Sequence, residues 1–97
     1  MEQKFKNRQG GEDDSQETTL VNFKNADGSR TYIRVKSGTA VKDFLLSLKH
    51  QYRKGLAYKL NNVLLQVDKE NGELLENPVL EGEESTLVIQ QTFQGGL

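Results

Sequence analysis

The sequence predicts an α+β domain, a mixed sheet of four to five strands packed on one amphipathic helix. Three observations carry that prediction. Apolar and polar residues alternate on both sides of Asp27-Gly28, a helical stripe starts near Val41, and a second alternating run occupies residues 85–91. At 97 residues the chain is long enough for one domain. Residues 1–17, MEQKFKNRQGGEDDSQE, hold one large apolar side chain after Met1, Phe5. Such a stretch buries too little apolar surface to offset the entropy of ordering, so it reads as a disordered tail. The domain is expected over residues 18–91, with residues 92–97 as a flexible C-terminal tail.

Each element follows in order. In Leu20-Val21-Asn22-Phe23-Lys24, Val21 and Phe23 share one face and Asn22 and Lys24 the other. Asp27-Gly28 is a strong hairpin signal. Arg30 to Val35 alternates again, with Thr31, Ile33 and Val35 expected inward and Arg30, Tyr32 and Arg34 outward. Thr39 is a good N-cap for a helix of three to four turns. Its stripe is Val41, Phe44, Leu45, Leu48 and Tyr52, and Gly55 supplies the stop. Ala57-Tyr58-Lys59-Leu60 and Val63 to Val67 read as a central strand. Asn71-Gly72 is a turn, residues 73–75 a short edge strand, and Asn77-Pro78 forbids a central strand there. In the closing run Leu87 and Ile89 face inward, and Thr86, Val88 and Gln90 outward.

Bulk properties narrow the function. A net charge of −1 argues against nucleic acid as the main partner, since phosphate binding needs concentrated cations. With no Cys, disulfide and thiolate chemistry are excluded. No apolar run is long enough for a membrane span or signal peptide. A cytoplasmic monomer is the expectation, with the nucleus open to it in a eukaryote. One His, no Trp and no serine in a nucleophile-elbow sequence speak against an enzyme, a metal site or a cofactor.

The pattern as a whole resembles the ubiquitin-like family, whose members include ubiquitin and SUMO. The hairpin around Asp27-Gly28, then Val35, a short loop and Val41, Phe44 and Leu48 resemble the first half of ubiquitin. Glu84-Ser85-Thr86-Leu87 matches ubiquitin's Glu-Ser-Thr-Leu at the same distance from a Gly-Gly pair, here Gly95-Gly96. The resemblance spans about residues 19–96 and is weakest between Gly55 and Glu84. It implies a β-grasp fold with the last strand beside the first. It also implies a protein modifier whose Gly96 carboxylate is adenylated by an activating enzyme, passed to a cysteine as a thioester and delivered to target lysines by a conjugating enzyme. Two glycines without Cβ atoms suit a thread that enters a narrow channel. Gln91, Thr92, Phe93 and Gln94 would carry its recognition as an added strand.

Leu97 covers the carboxylate that would be activated. The resemblance therefore implies a precursor trimmed between Gly96 and Leu97 by a ubiquitin-like-specific or JAB-type protease. The alternative is a chain that is never conjugated. Ubiquitin's thread carries two arginines where Thr92 and Gln94 stand, which points to a dedicated cascade. The partner surface implied is Val88 with Ala26 at the hairpin tip, and Tyr32 and Arg34 on the second strand. An ordinary solvated sheet face reads those residues equally well. His50 lies off the helical stripe and is expected to face solvent. Lys49, Arg53, Lys54 and Lys59 read as a solvated basic helix end. Two other functions share the fold: a non-covalent interaction domain, and a sulfur carrier like those of thiamin and molybdopterin synthesis, which Leu60-Asn61-Asn62 faintly resembles.

Overall fold

The computed structural model describes residues 17–92, and the remaining residues lie outside the description that follows. The expected alternation is present in β1 (Thr18–Lys24), whose Thr19, Val21 and Phe23 are buried. A loop over Ala26, Asp27 and Gly28 leads into β2 (Arg30–Lys36). Gly28 N–H returns to Asn25 O (2.9 Å) and Asn25 N–H to Ser29 O (2.8 Å). With Gly28 at φ 91°, this is a type I turn closed by a left-handed residue, a conformation glycine reaches without strain. Ile33 and Val35 are half-buried against the core, but Thr31, on the outer strand of the sheet, is exposed.

β3 (Thr39–Ala40) precedes α1 (Val41–Ser47), which is only seven residues long, not three to four turns. Thr39 does not cap it. Its hydroxyl donates to Lys36 O (2.6 Å), and Ala40 holds the cap position with no side-chain bond. The first helical N–H groups are met from a distant loop, Val41 N–H by Pro78 O (2.9 Å) and Lys42 N–H by Asn77 Oδ1 (2.9 Å). The helix stops at Leu48, well before Gly55. Lys49 N–H bonds Leu46 O and His50 N–H bonds Leu45 O, with Lys49 at φ 60°. That pairing is a Schellman motif with lysine in the left-handed position. Leu48 is left exposed, and Tyr52 reaches the core edge from outside the helix.

The predicted central strand is two strands. β4 (Leu56–Leu60) and β5 (Val63–Leu65) pair antiparallel around Asn61-Asn62, at φ 51° and 71°. Both turn residues take the left-handed conformation that a two-residue hairpin requires, which Asn tolerates. Asn61 also brackets Thr86, donating N–H to its O and accepting its N–H at Oδ1, each at 2.8 Å. Residues 73–75 are not a strand; Leu74 makes a single bridge to Val67. β6 (Val79–Leu80) pairs with β3 as a separate two-stranded sheet. β7 (Glu84–Gln91) closes the chain.

The main sheet has the order β2-β1-β7-β4-β5, with β7 parallel to β1 and antiparallel to β4. One face carries the core: Val21 and Phe23, Tyr58 and Leu60, Leu87 and Ile89, under Val41, Phe44 and Leu45 of α1. Phe23 and Phe44 meet edge to face at 5.6 Å. A two-turn helix covers too little of the sheet, and Leu74 from irregular chain and Leu80 of β6 complete the core. The fold is thus α+β, with a five-stranded mixed sheet and one short helix.

Two stability measurements check this packing. A Cβ on Gly72 (φ 79°) would overlap the Arg53 carbonyl, whereas one on Gly28 meets open space. Gly28→Ala should cost about 1–2 kcal/mol from φ alone. Gly72→Ala should cost about 1–3 kcal/mol more, because backbone must move, as read from urea midpoints. Thr19 Oγ1 is buried with no hydrogen-bond partner among the described residues. Thr19→Val keeps the shape and removes the stranded hydroxyl, so it should raise unfolding stability by about 1 kcal/mol.

Candidate functional site

The strand period places a second set of side chains on the face turned away from α1. Register aligns them in rows across the sheet. One row reads Arg30, Lys24, Val88, Lys59 and Leu64, across β2, β1, β7, β4 and β5. With strands about 4.8 Å apart, it spans roughly 19 Å. A second row holds Tyr32, Asn22 and Thr86, and a third Arg34, Leu20 and Glu84. Lys36 stands opposite Thr18 at the corner. Tyr32 is 58% exposed and Leu64 61%.

Two of these cations are laid inward over β1. Arg30 Nη1 donates to Asn22 Oδ1 at 2.8 Å and Arg34 Nη1 to Thr18 Oγ1 at 3.0 Å. Both acceptors are neutral, so the bonds orient the guanidinium groups without cancelling their charge. Glu84 is the carboxylate in these rows. Most acids of the second half sit elsewhere: Asp68, Glu70, Glu73 and Glu76 in the loop after β5, Glu81 and Glu83 before β7. The ion pair Lys42–Glu73 (3.7 Å) lies off this face as well. A chain near neutrality overall therefore presents a cationic sheet face with apolar side chains set into it.

Of the residues the sequence singles out as a partner surface, Val88, Tyr32 and Arg34 share this face. Ala26 does not belong with them; it packs against the core. Lys59 belongs to this face rather than to the basic helix end. Of the tail residues, Gln91 still pairs with Leu56, and Thr92 N–H bonds Gly55 O at 2.7 Å. β1 ends at Lys24, opposite Val88, so among the described residues the last part of β7 keeps β4 as its one strand neighbour. Leu56, Leu64, Leu65, Val67, Leu75 and Thr92 line an open groove beside this end. Phe93, Gln94, Gly95, Gly96 and Leu97 lie outside the described residues.

His50 does not face solvent. It is half-buried where α1 ends, with Nε2 2.6 Å from Tyr58 Oη and its ring edge-on to Tyr52 and Tyr58. No periodicity reveals this, because His50 reaches the core only through the turn after the helix. Burial, then the Arg53 guanidinium, lowers its pKa from the ordinary 6.5. Burial, then Tyr52, pushes the Tyr58 phenol up to about 12. At neutral pH Tyr58 therefore keeps its proton and can donate it to a neutral imidazole. Among the described residues, no cluster of three or more His, Cys, Asp or Glu could hold a metal ion. None of their helices is long and apolar enough to cross a membrane.

No family model, curated protein or solved structure matches the chain. The geometry of the open face and of the β7 terminus therefore carries the functional reading.

The His50 cluster has a pH signature. A folded-state pKa below the unfolded 6.5 means the unfolded chain binds the proton first. Its contribution is present above pH 6.5 and is lost as pH falls through the lowered value. The urea midpoint should decline from pH 7.5 to 5.5, and His50→Gln should flatten that slope.

Proposed function

We propose that the chain is a ubiquitin-like protein modifier of β-grasp fold. A protease would remove Leu97, and the Gly96 carboxylate would then be joined to lysines of target proteins. What supports this reading is the parallel pairing of the first and last strands at the centre of the sheet. That is the arrangement the resemblance calls for. It puts the end of β7 at the sheet rim, where among the described residues no strand pairs the β1 side beyond Val88, a short way before Gly95-Gly96 in sequence.

The chemistry is done on the protein by its partners. In an activating enzyme the Gly96 carboxylate attacks the α-phosphorus of ATP, forming an acyl-adenylate and releasing pyrophosphate. A cysteine thiolate displaces AMP, and a lysine amine displaces that thiol to leave an isopeptide. The chain contributes a Cβ-free thread and a strand end against which an enzyme can lay backbone. Gln91 pairs with Leu56 and Thr92 bonds Gly55, so the recognition run from Gln91 to Gln94 starts from the end of the sheet.

A second reading is a non-covalent interaction domain, favoured by the cationic face around Val88 and Tyr32. A sulfur carrier would share the fold and the glycine pair; Asn61 and Asn62, the segment that resembles those carriers, form the hairpin turn between β4 and β5.

Intact mass separates the two. The full chain with an N-terminal tag, expressed in cells of its source, should lose Leu97 and appear in higher-mass species. Peptides from those species should carry a Gly-Gly remnant on lysine. Deleting Gly95-Gly96 should abolish them. If Leu97 persists and the deletion leaves the tagged species unchanged, the modifier reading fails.

A further inference from the structure

Lys24, Arg30, Arg34, Lys36 and Lys59 gather on one face, and the chain itself carries the complementary charge. Residues 12–17 read Glu-Asp-Asp-Ser-Gln-Glu, directly upstream of β1. We propose that the acidic run Glu12-Asp13-Asp14 docks in cis on this face, first on Arg34 and Lys36 and then toward Arg30 and Lys24. It would thereby occupy the surface that a partner must use.

Three observations support the placement. Glu17 O accepts Ser37 N–H at 3.0 Å, so the strand pairing fixes where the tail leaves the sheet, beside the end of β2. Thr18 stands opposite Lys36 and its hydroxyl holds the Arg34 guanidinium, so the nearest cations to the exit are those two. Asp14 lies four residues from Thr18, a reach of roughly 13 Å, and Glu12 roughly 20 Å. Both cover the Arg34 corner, and Glu12 reaches the Lys24 row only when fully extended.

The competing sites are weaker. Arg53 and Lys54 already lie against the loop that carries Asp68, Glu70 and Glu73, and Gly72 of that loop abuts the Arg53 carbonyl. Lys42 is paired with Glu73. On the far side of the exit, Glu83 and Glu84 flank Leu20 and repel an acidic segment toward β2. A tether this short gives the docked run an effective concentration near the millimolar range, so weak exposed ion pairs suffice to populate it at low salt. With a Debye length of about 10 Å at 0.1 M salt, the contact should fade as salt is added.

The inference does not depend on conjugation, and its test leaves Gly95-Gly96 intact. Backbone amide spectra of the full chain are compared with those of the Glu12→Gln/Asp13→Asn/Asp14→Asn variant, at low and at high salt. Differences at low salt should concentrate on Leu20, Arg34, Tyr32 and Lys36, vanish at high salt, and be unchanged on tenfold dilution. A capped peptide of residues 11–17 should bind the variant at least severalfold more tightly than it binds the parent. Differences that cluster at Arg53 and Lys54, dilute away with concentration, or are absent from this face overturn the proposal. Dilution-sensitive differences would mean that the acidic run reaches a second copy.

Discussion

β7 joins two hairpins that have no other sheet contact. β1 and β2 pair locally, as do β4 and β5, and each pair alone would expose a full apolar face. Both are held in one sheet because β7 bonds β1 along one edge and β4 along the other, burying Leu87 and Ile89 at the centre. The contact joins Leu20 to Glu84 and Lys24 to Val88, so most of the chain is a loop that must close before it forms. Loop-closure entropy makes such a contact slow to form. The open face exists only once it has formed, since Val88 and Lys59 enter their row through β7 and β4.

The helix is less central than its sequence suggests. Two turns supply Val41, Phe44 and Leu45, and the rest of the cover comes from Tyr52 and Leu74 in irregular chain and from Leu80 in the two-residue β6. Those segments are held by backbone-directed bonds: Asp68 Oδ1 accepting Glu70 and Asn71 N–H, Glu76 Oε2 accepting Gln66 N–H, and the Asn77–Pro78 pair at the helix start. Polar residues thus position apolar ones, an arrangement with no period of its own.

That division explains what was legible in the sequence. Strand alternation at Val21, Phe23, Leu87 and Ile89 placed the core face, because one side of each strand is dry and the other wet. Helix length was not legible. Leu48 and Tyr52 continue the stripe, and the stop is a left-handed Lys49 that carries no glycine or proline signal. The β4–β5 turn was missed because Asn-Asn forms the hairpin without the usual glycine. Thr39 looked like a cap, but its hydroxyl had a nearer carbonyl to bind and a loop far along the chain met the helix N–H groups. The candidate face was half legible. Tyr32, Arg34 and Val88 could be assigned outward, but their alignment with Lys24, Arg30 and Lys59 depends on register and strand order, which periodicity does not contain.

Among the described residues β2 is an outer strand, and a backbone edge that none of them pairs would serve as a template for another copy of the chain. Arg30, Arg34 and Lys36 stand along it, so two such edges brought together would oppose like charges. β5, the other rim, is three residues long and offers little ladder to extend. The arginines that orient toward β1 thus also guard against edge-to-edge aggregation. A substitution that neutralises the face to improve binding would lower the barrier to self-association, so the composition of β2 answers to solubility as well as to recognition.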